Sequence, residues 1–177
     1  GRAIPQAIFD LTLNKGYISI GHSYETADFI IDNLRWWWEN FGIHHYPDAK
    51  NMLILCDAGG ANSYRHYAFK KQLLRLARLI DVDIIICHYP PYSSKWNPIE
   101  HSLFAHVHRS MQGVIFSNYE LVKNMIDKTS TTTGLTVEVR INDKYYPTGL
   151  KTTKDEIDFN RIQFNQQIPK LSYRIYQ

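Results

Sequence analysis

Cysteine is nearly absent. The 177-residue chain has two, Cys56 and Cys87, both inside apolar runs, which points to a reduced, cytoplasmic protein and argues against either thiol as a nucleophile. No stretch approaches the roughly 18–20 uncharged apolar residues of a membrane span. The opening Gly1-Arg2-Ala3-Ile4-Pro5 is not a signal peptide, and without an initiator Met the chain is expected to begin partway into a longer protein. Charge is nearly balanced: 20 Lys and Arg against 17 Asp and Glu leave +3, too mild to establish a nucleic-acid partner by itself. Neither a phosphate-loop motif nor a dinucleotide fingerprint occurs. Zinc is disfavoured, because His101, His106 and His108 fall at i, i+5 and i+7, off a single helical face, and His44-His45 lacks a spaced cysteine pair. Internal repeats are missing too.

What is present is globular composition, 44% apolar and 21% charged, in a length that suits one domain and hardly two. Residues 6–12 and 17–20 read as the strands of a hairpin turning at Asn14-Lys15-Gly16. Ile30, Leu34, Trp37 and Phe41 recur at helical spacing over about 25–41, with Ser23 or Thr26 as cap. The Trp36-Trp37-Trp38 run cannot point all its rings one way on a helix, so at least Trp37 is expected in the core. Met52–Cys56 and Ile84–Cys87 are continuous apolar runs, the first typical of a strand covered on both faces. Between them a helix over roughly 63–80 turns Phe69, Leu73, Leu76 and Ile80 inward and Lys71, Arg75 and Arg78 onto another stripe. Asn97-Pro98 opens a third helix, and Ser117 with Glu120 forms a capping box for a fourth that runs to about Lys128. Leu135, Val137, Val139 and Ile141 alternate as a strand does; beyond Asn142 periodicity fades. The sum is an α/β chain with a mixed sheet.

Both apolar runs end in polar residues, Asp57 and His88, and open α/β sheets place their sites at the carboxyl ends of such strands. Asp57, before Gly59-Gly60, suits either a turn aspartate or a carboxylate at the sheet edge. Glu100 suits either a capping-box glutamate behind Asn97 or a second carboxylate converging on the same divalent cation. Five basic residues and no acidic one lie between Ala58 and Arg78, including Lys71, Arg75 and Arg78; such a helix holds DNA phosphates or is merely a solvated face. Lys95 and Trp96 are better DNA candidates because they precede Glu100 in the same loop.

The string His88-Tyr89-Pro90-Pro91-Tyr92-Ser93-Ser94-Lys95-Trp96-Asn97-Pro98-Ile99-Glu100-His101 resembles the signature around the last acidic residue of DDE transposases of the mariner-like superfamily. It is closer still to the bacterial insertion-sequence branch, the Rhodopirellula-type DDE transposases. Asp57-Ala58-Gly59-Gly60-Ala61-Asn62, Thr26–Phe29, Arg35–Trp38 and the threonine run before Gly134 fit the same branch, over about residues 4–150. The resemblance implies a ribonuclease H-like mixed sheet flanked by helices. It also implies DNA strand transfer with two Mg²⁺ or Mn²⁺ ions, transposon ends and target DNA as partners, and a homodimer in the intact enzyme. By match, Asp57 is similar to the second and Glu100 to the third acidic residue of the triad, both metal ligands. His101 could orient water or phosphate, or simply be a polar surface residue of its helix.

That family opens with three antiparallel strands before its first helix, the first carrying the first catalytic Asp. This chain offers two. The first, central strand and its Asp are expected upstream of Gly1; the rival alignment makes 6–12 the first strand and Asp10 the first ligand. The organisation expected is a catalytic domain over 1–141, N-terminally truncated, with an appendage of uncertain order at 142–177. An inactive and marginally stable chain is the corollary. Two other readings stand beside it: a remnant that only binds DNA or a partner subunit, and a ribonuclease H-like nuclease without strand transfer.

Overall fold

The computed structural model describes residues 3–110, 112 and 118–177. They form two compact units, one from Gly1–Tyr24 with Lys95–Tyr145 and one from Glu25–Ser94 with Tyr146–Gln177. Among the described residues no helix is long and apolar enough to cross a membrane.

In the first unit, β1 (Ile4–Asp10) and β2 (Lys15–Gly21) form an antiparallel hairpin with Ala7 opposite Ile18. Both strands begin two residues earlier than the sequence pattern suggests, because the turn is made by 11–14, with Asn14 in the left-handed region at φ 53°. Asp10 closes β1 as a turn residue: its Oδ1 accepts the Thr12 and Leu13 N–H groups, each at 3.0 Å. β5 (Thr136–Asn142) lies parallel to β2, with Val139 opposite Ile18, giving the order β1-β2-β5. Two helices supply the other wall of the core. A π-helical turn, Glu100–Phe104, runs into α4 (Ala105–Ser110), and α5 (Tyr119–Asp127) follows. Leu103, Val107, Val122 and Ile126 pack with Ile18, Ile20, Val137 and Val139. Ser117 of the expected capping box lies outside the described residues.

The second unit starts with α1 (Ala27–Trp37), whose N-terminus is capped by Thr26 Oγ1 accepting the Phe29 N–H at 3.2 Å. The helix continues through a π-helical turn, Trp38–Gly42, into α2 (Ile43–His45). Trp37 and Trp38 are buried, while Trp36 sits edge-on to Phe41 at 5.4 Å. A glycine is required at 42, since a Cβ there would come within 2.6 Å of the Trp38 ring. β3 (Asn51–Asp57) and β4 (Asp83–Tyr89) are parallel neighbours joined by α3 (Tyr67–Ile80), which buries Phe69, Leu73, Leu76 and Ile80 as its periodicity predicts.

The segment after Asn142, read from the sequence as an appendage, carries two strands of this second sheet. β6 (Ile162–Phe164) and β7 (Ser172–Ile175) extend it to the order β3-β4-β7-β6, with Tyr173 opposite Ile86. Strands of three and four residues are too short to show a period, so the sequence pattern does not reveal them. β3 is not covered on both faces as its apolar run suggests, since Leu53 is 60% exposed; among the described residues it also ends its sheet. Among the described residues β1 pairs only with β2, and β3 only with β4.

Candidate functional site

In the second unit Asp57 is the last residue of β3, in register with Tyr89 at the end of β4. The chain beyond it is open: a Cβ built on Gly59 would meet nothing within 4 Å, and Gly60 turns at φ +65° into a short 3₁₀ turn, Gly60–Asn62. The strand end therefore presents a half-buried carboxylate in a spacious loop.

Behind Asp57 lies a buried polar cluster. β4 alternates so that Ile84, Ile86 and His88 face the core, and His88 takes the last of these positions, 5% exposed. Its Nδ1 is 3.2 Å from the Asp57 carbonyl oxygen and 3.4 Å from Cys56 Sγ; its Nε2 is 3.0 Å from the Tyr173 hydroxyl. The chemistry of the partners fixes the proton positions. A carbonyl only accepts, so Nδ1 carries the proton and donates to Asp57, and Nε2 accepts from the Tyr173 O–H. Tyr64 and Phe69 meet the ring edge-on, each with centroids 6.1 Å away. Lys70, also buried, donates to the Tyr64 carbonyl and stands over the Tyr173 ring at 5.0 Å. Burial disfavours charge throughout the cluster. It lowers the His88 and Lys70 pKa values, raises that of Tyr173, and, with the Asp57 charge as a smaller contribution, pushes the Cys56 thiol up to about 12.

Lys71, Arg75 and Arg78 are exposed along α3. Lys71 Nζ is ion-paired with Glu156 Oε1 at 2.5 Å, which lowers the Glu156 pKa, and Arg75 donates to Gln72 Oε1 at 3.2 Å. Glu156 belongs to the stretch beyond Asn142, so the partner that engages Lys71 comes from a part of the chain with no visible periodicity.

In the first unit, Lys95 and Trp96 sit in a single 3₁₀ turn, Ser94–Trp96, with Lys95 Nζ 5.2 Å from the Trp96 ring centroid and Trp96 69% exposed. Asn97 caps the following helix, its Oδ1 accepting from the Ile99 N–H at 3.4 Å. Glu100 opens the π-helical turn, half-buried, and its carboxylate bonds to no described residue, so the reciprocal bond of a capping box is not made. His101 Nε2 bonds to the Lys95 carbonyl, tying the 3₁₀ turn to the helix; this engages the ring nitrogen that would otherwise be offered to a ligand. The structure thus groups Lys95, Trp96 and Glu100 in one unit and Asp57, Lys71, Arg75 and Arg78 in the other.

The carboxylate donors are of the hard oxygen kind that Mg²⁺ takes. Among the described residues, however, no group of three or more His, Cys, Asp or Glu side chains is placed to hold a metal ion.

Sequence reasoning notices His88 as a polar strand end but misses Tyr173, and it leaves Lys70 among the five basic residues that either hold DNA phosphates or form a solvated face. A signal for Lys70 exists: it precedes Leu74 and Ala77 by four and seven residues, on the flank of the buried stripe. Compared with known proteins, residues 1–177 match the family model described as the Rhodopirellula transposase DDE domain. Comparison with curated proteins and with solved structures gave no match.

Proposed function

The chain belongs to the Rhodopirellula-type DDE transposase domain family, and on that footing we propose that it is the catalytic domain of a bacterial DNA transposase in which Asp57 and Glu100 are two of the three metal-binding carboxylates. The observation that carries this reading is the placement of Asp57 at the carboxyl end of a parallel strand pair, before an open glycine loop and over a fixed polar cluster. DDE domains use divalent metal ions; Mg²⁺ or Mn²⁺, two ions in the intact enzyme, would supply charge stabilisation for phosphodiester displacement. Asp57 and Glu100 would hold the ions. The reaction proposed has water attack a phosphodiester at the transposon end and free a 3′-hydroxyl. That hydroxyl then attacks a target phosphorus and displaces the target strand's 3′-oxygen.

The other residues have supporting parts. Lys95 and Trp96 meet DNA beside Glu100, the cation with phosphate and the exposed indole by stacking. Lys71, Arg75 and Arg78 offer a row of cations to the backbone, Lys71 exchanging Glu156 for a phosphate. The fold proposed is the ribonuclease H-like sheet without its first strand. Among the described residues β1 and β3 are paired on one side only, which supports it, since such an edge accepts a further strand, and in that fold the first strand bears the first acidic residue. Asp10, occupied as a turn residue, is not assigned that role. With two carboxylates rather than three, the 177 residues alone are proposed to be inactive in strand transfer, as one half of a homodimer in the intact enzyme.

The alternative is a domain that holds DNA or a partner subunit without cutting, for which Lys95 and the exposed Trp96 indole would serve. A Mn²⁺ titration followed by NMR paramagnetic broadening separates the two. Broadening around Asp57 and Glu100 that Asp57→Asn and Glu100→Gln each abolish supports the metal site. Broadening that survives both favours the non-catalytic reading, and none in the folded chain points to a catalytic site left incomplete without its third carboxylate. In the intact enzyme, joined donor–target products distinguish strand transfer from simple nuclease activity.

A further inference from the structure

The first unit holds a polar groove of about 410 Å³ whose walls come from the end of α4 and from the threonine-rich segment before β5. His106, Arg109 and Ser110 line one side, Lys128, Thr129 and Thr131 the other. None of them belongs to the residues assigned above. From this groove we infer a second DNA contact, a seat for the phosphodiester backbone built by Arg109 and Lys128. The inference rests on the transposase reading for the identity of the anion as DNA, but on the groove's own chemistry for its charge.

The cations are available. Arg109 and Lys128 are exposed, and among the described residues neither is paired with a carboxylate. The acidic neighbour in sequence, Asp127, is engaged by Lys123 Nζ at 2.5 Å, so it does not neutralise Lys128. Two facing cations with no internal counter-ion on a groove lined by hydroxyls match the usual set of phosphate-contacting side chains.

The walls are fixed before any ligand arrives. Thr129 is buried; its hydroxyl donates to Ser110 Oγ at 3.0 Å, and Ser110 in turn donates to the Val107 carbonyl at 2.7 Å, which ties the threonine segment to α4. Thr131 Oγ1 accepts the Leu135 N–H at 3.2 Å, and the Thr131 carbonyl accepts the Gly134 N–H at 3.1 Å in a turn that needs Gly134 at φ +89°. Ser130 bridges back to Thr136, the first residue of β5. These bonds use up the inward hydroxyls and leave the exposed Ser130 and Thr132 side chains, with the two cations, to face the groove. A ligand here therefore costs little ordering of the protein.

The test is fluorescence anisotropy of a labelled 20-base-pair duplex with the full chain over a range of KCl concentrations. The double variant Arg109→Gln/Lys128→Gln is expected to bind more weakly and to lower the slope of log affinity against log salt by about two, one for each lost phosphate contact. A charge-matched control, Lys151→Gln/Lys170→Gln, removes two exposed lysines of the other unit and is expected to leave the slope within one of the parent's. Arg109→Lys keeps the charge and is expected to keep the slope. An unchanged slope in the Arg109/Lys128 variant, an equal loss in the control, or no DNA binding by the parent chain overturns the groove. The metal titration of Asp57 and Glu100 is a separate readout, so a failed groove and a failed catalytic reading give different results.

Discussion

At the scale of single residues, the most consequential side chain lies where the sequence pattern is quietest. Tyr173 donates its hydroxyl to His88 Nε2 and thereby sets the tautomer that holds the Asp57 carbonyl. Removing that oxygen leaves a buried imidazole nitrogen without a donor, a loss in the range of about 1–3 kcal/mol. Tyr173→Phe is therefore expected to cost roughly 1–2 kcal/mol in urea unfolding, by the same principle. Tyr176→Phe makes the comparison, since its hydroxyl bonds Gln163 Oε1 at 2.6 Å on the surface, where water replaces the partner. It is expected to cost less than about 0.5 kcal/mol. Equal effects of the two substitutions would mean that the His88 bond carries no special weight.

At the scale of elements, the helix that presents Glu100 is seated by close contact. Leu103, with none of its surface exposed, fills the space above Gly16 of β2, where a Cβ would fall 2.5 Å from its Cδ1. Leu103→Ala should destabilise the chain by about 2–5 kcal/mol, and Gly16→Ala by less, because the colliding atom is the end of a flexible side chain. The two changes should couple: in the Leu103→Ala background the added methyl enters vacated space, so the double variant should be more stable than Leu103→Ala alone. A double-mutant cycle by chemical denaturation reads this directly, and strict additivity would rule the contact out. Local signals made this level largely legible. Thr26, Asn97 and the inward stripe of α3 act as their residue types and spacing require. The π-helical turns at Trp38–Gly42 and Glu100–Phe104 were not legible, because a one-residue widening leaves the apolar period nearly intact. Nor was the hydrogen bond from His101 to the Lys95 carbonyl, which depends on how a loop returns to its helix rather than on spacing.

At the scale of the whole molecule, strand pairing decides where the chain resists opening. β2 is paired on both sides within its sheet, as is β4 within its own, whereas β1 and β3 end their sheets among the described residues. The apolar run of β3 gave no warning of this, because a run of apolar residues reports the hydrophobicity of a strand's faces and not the number of strands bonded at its edges. An edge strand leaves every second N–H to water and opens at lower free energy than a strand bonded on both sides. Amide hydrogen exchange should therefore find Ile18–Ile20 and Ile84–Ile86 the slowest segments of their units. Alternate amides of β1 and β3 should exchange faster by about a hundredfold or more, a gap of roughly 3 kcal/mol in opening free energy. Uniform protection along β1 and β3 would mean that both edges are covered in solution, by a second copy or a further strand. Its dependence on protein concentration tells those two apart: protection by a second copy fades on dilution, and protection by a strand of the same chain does not.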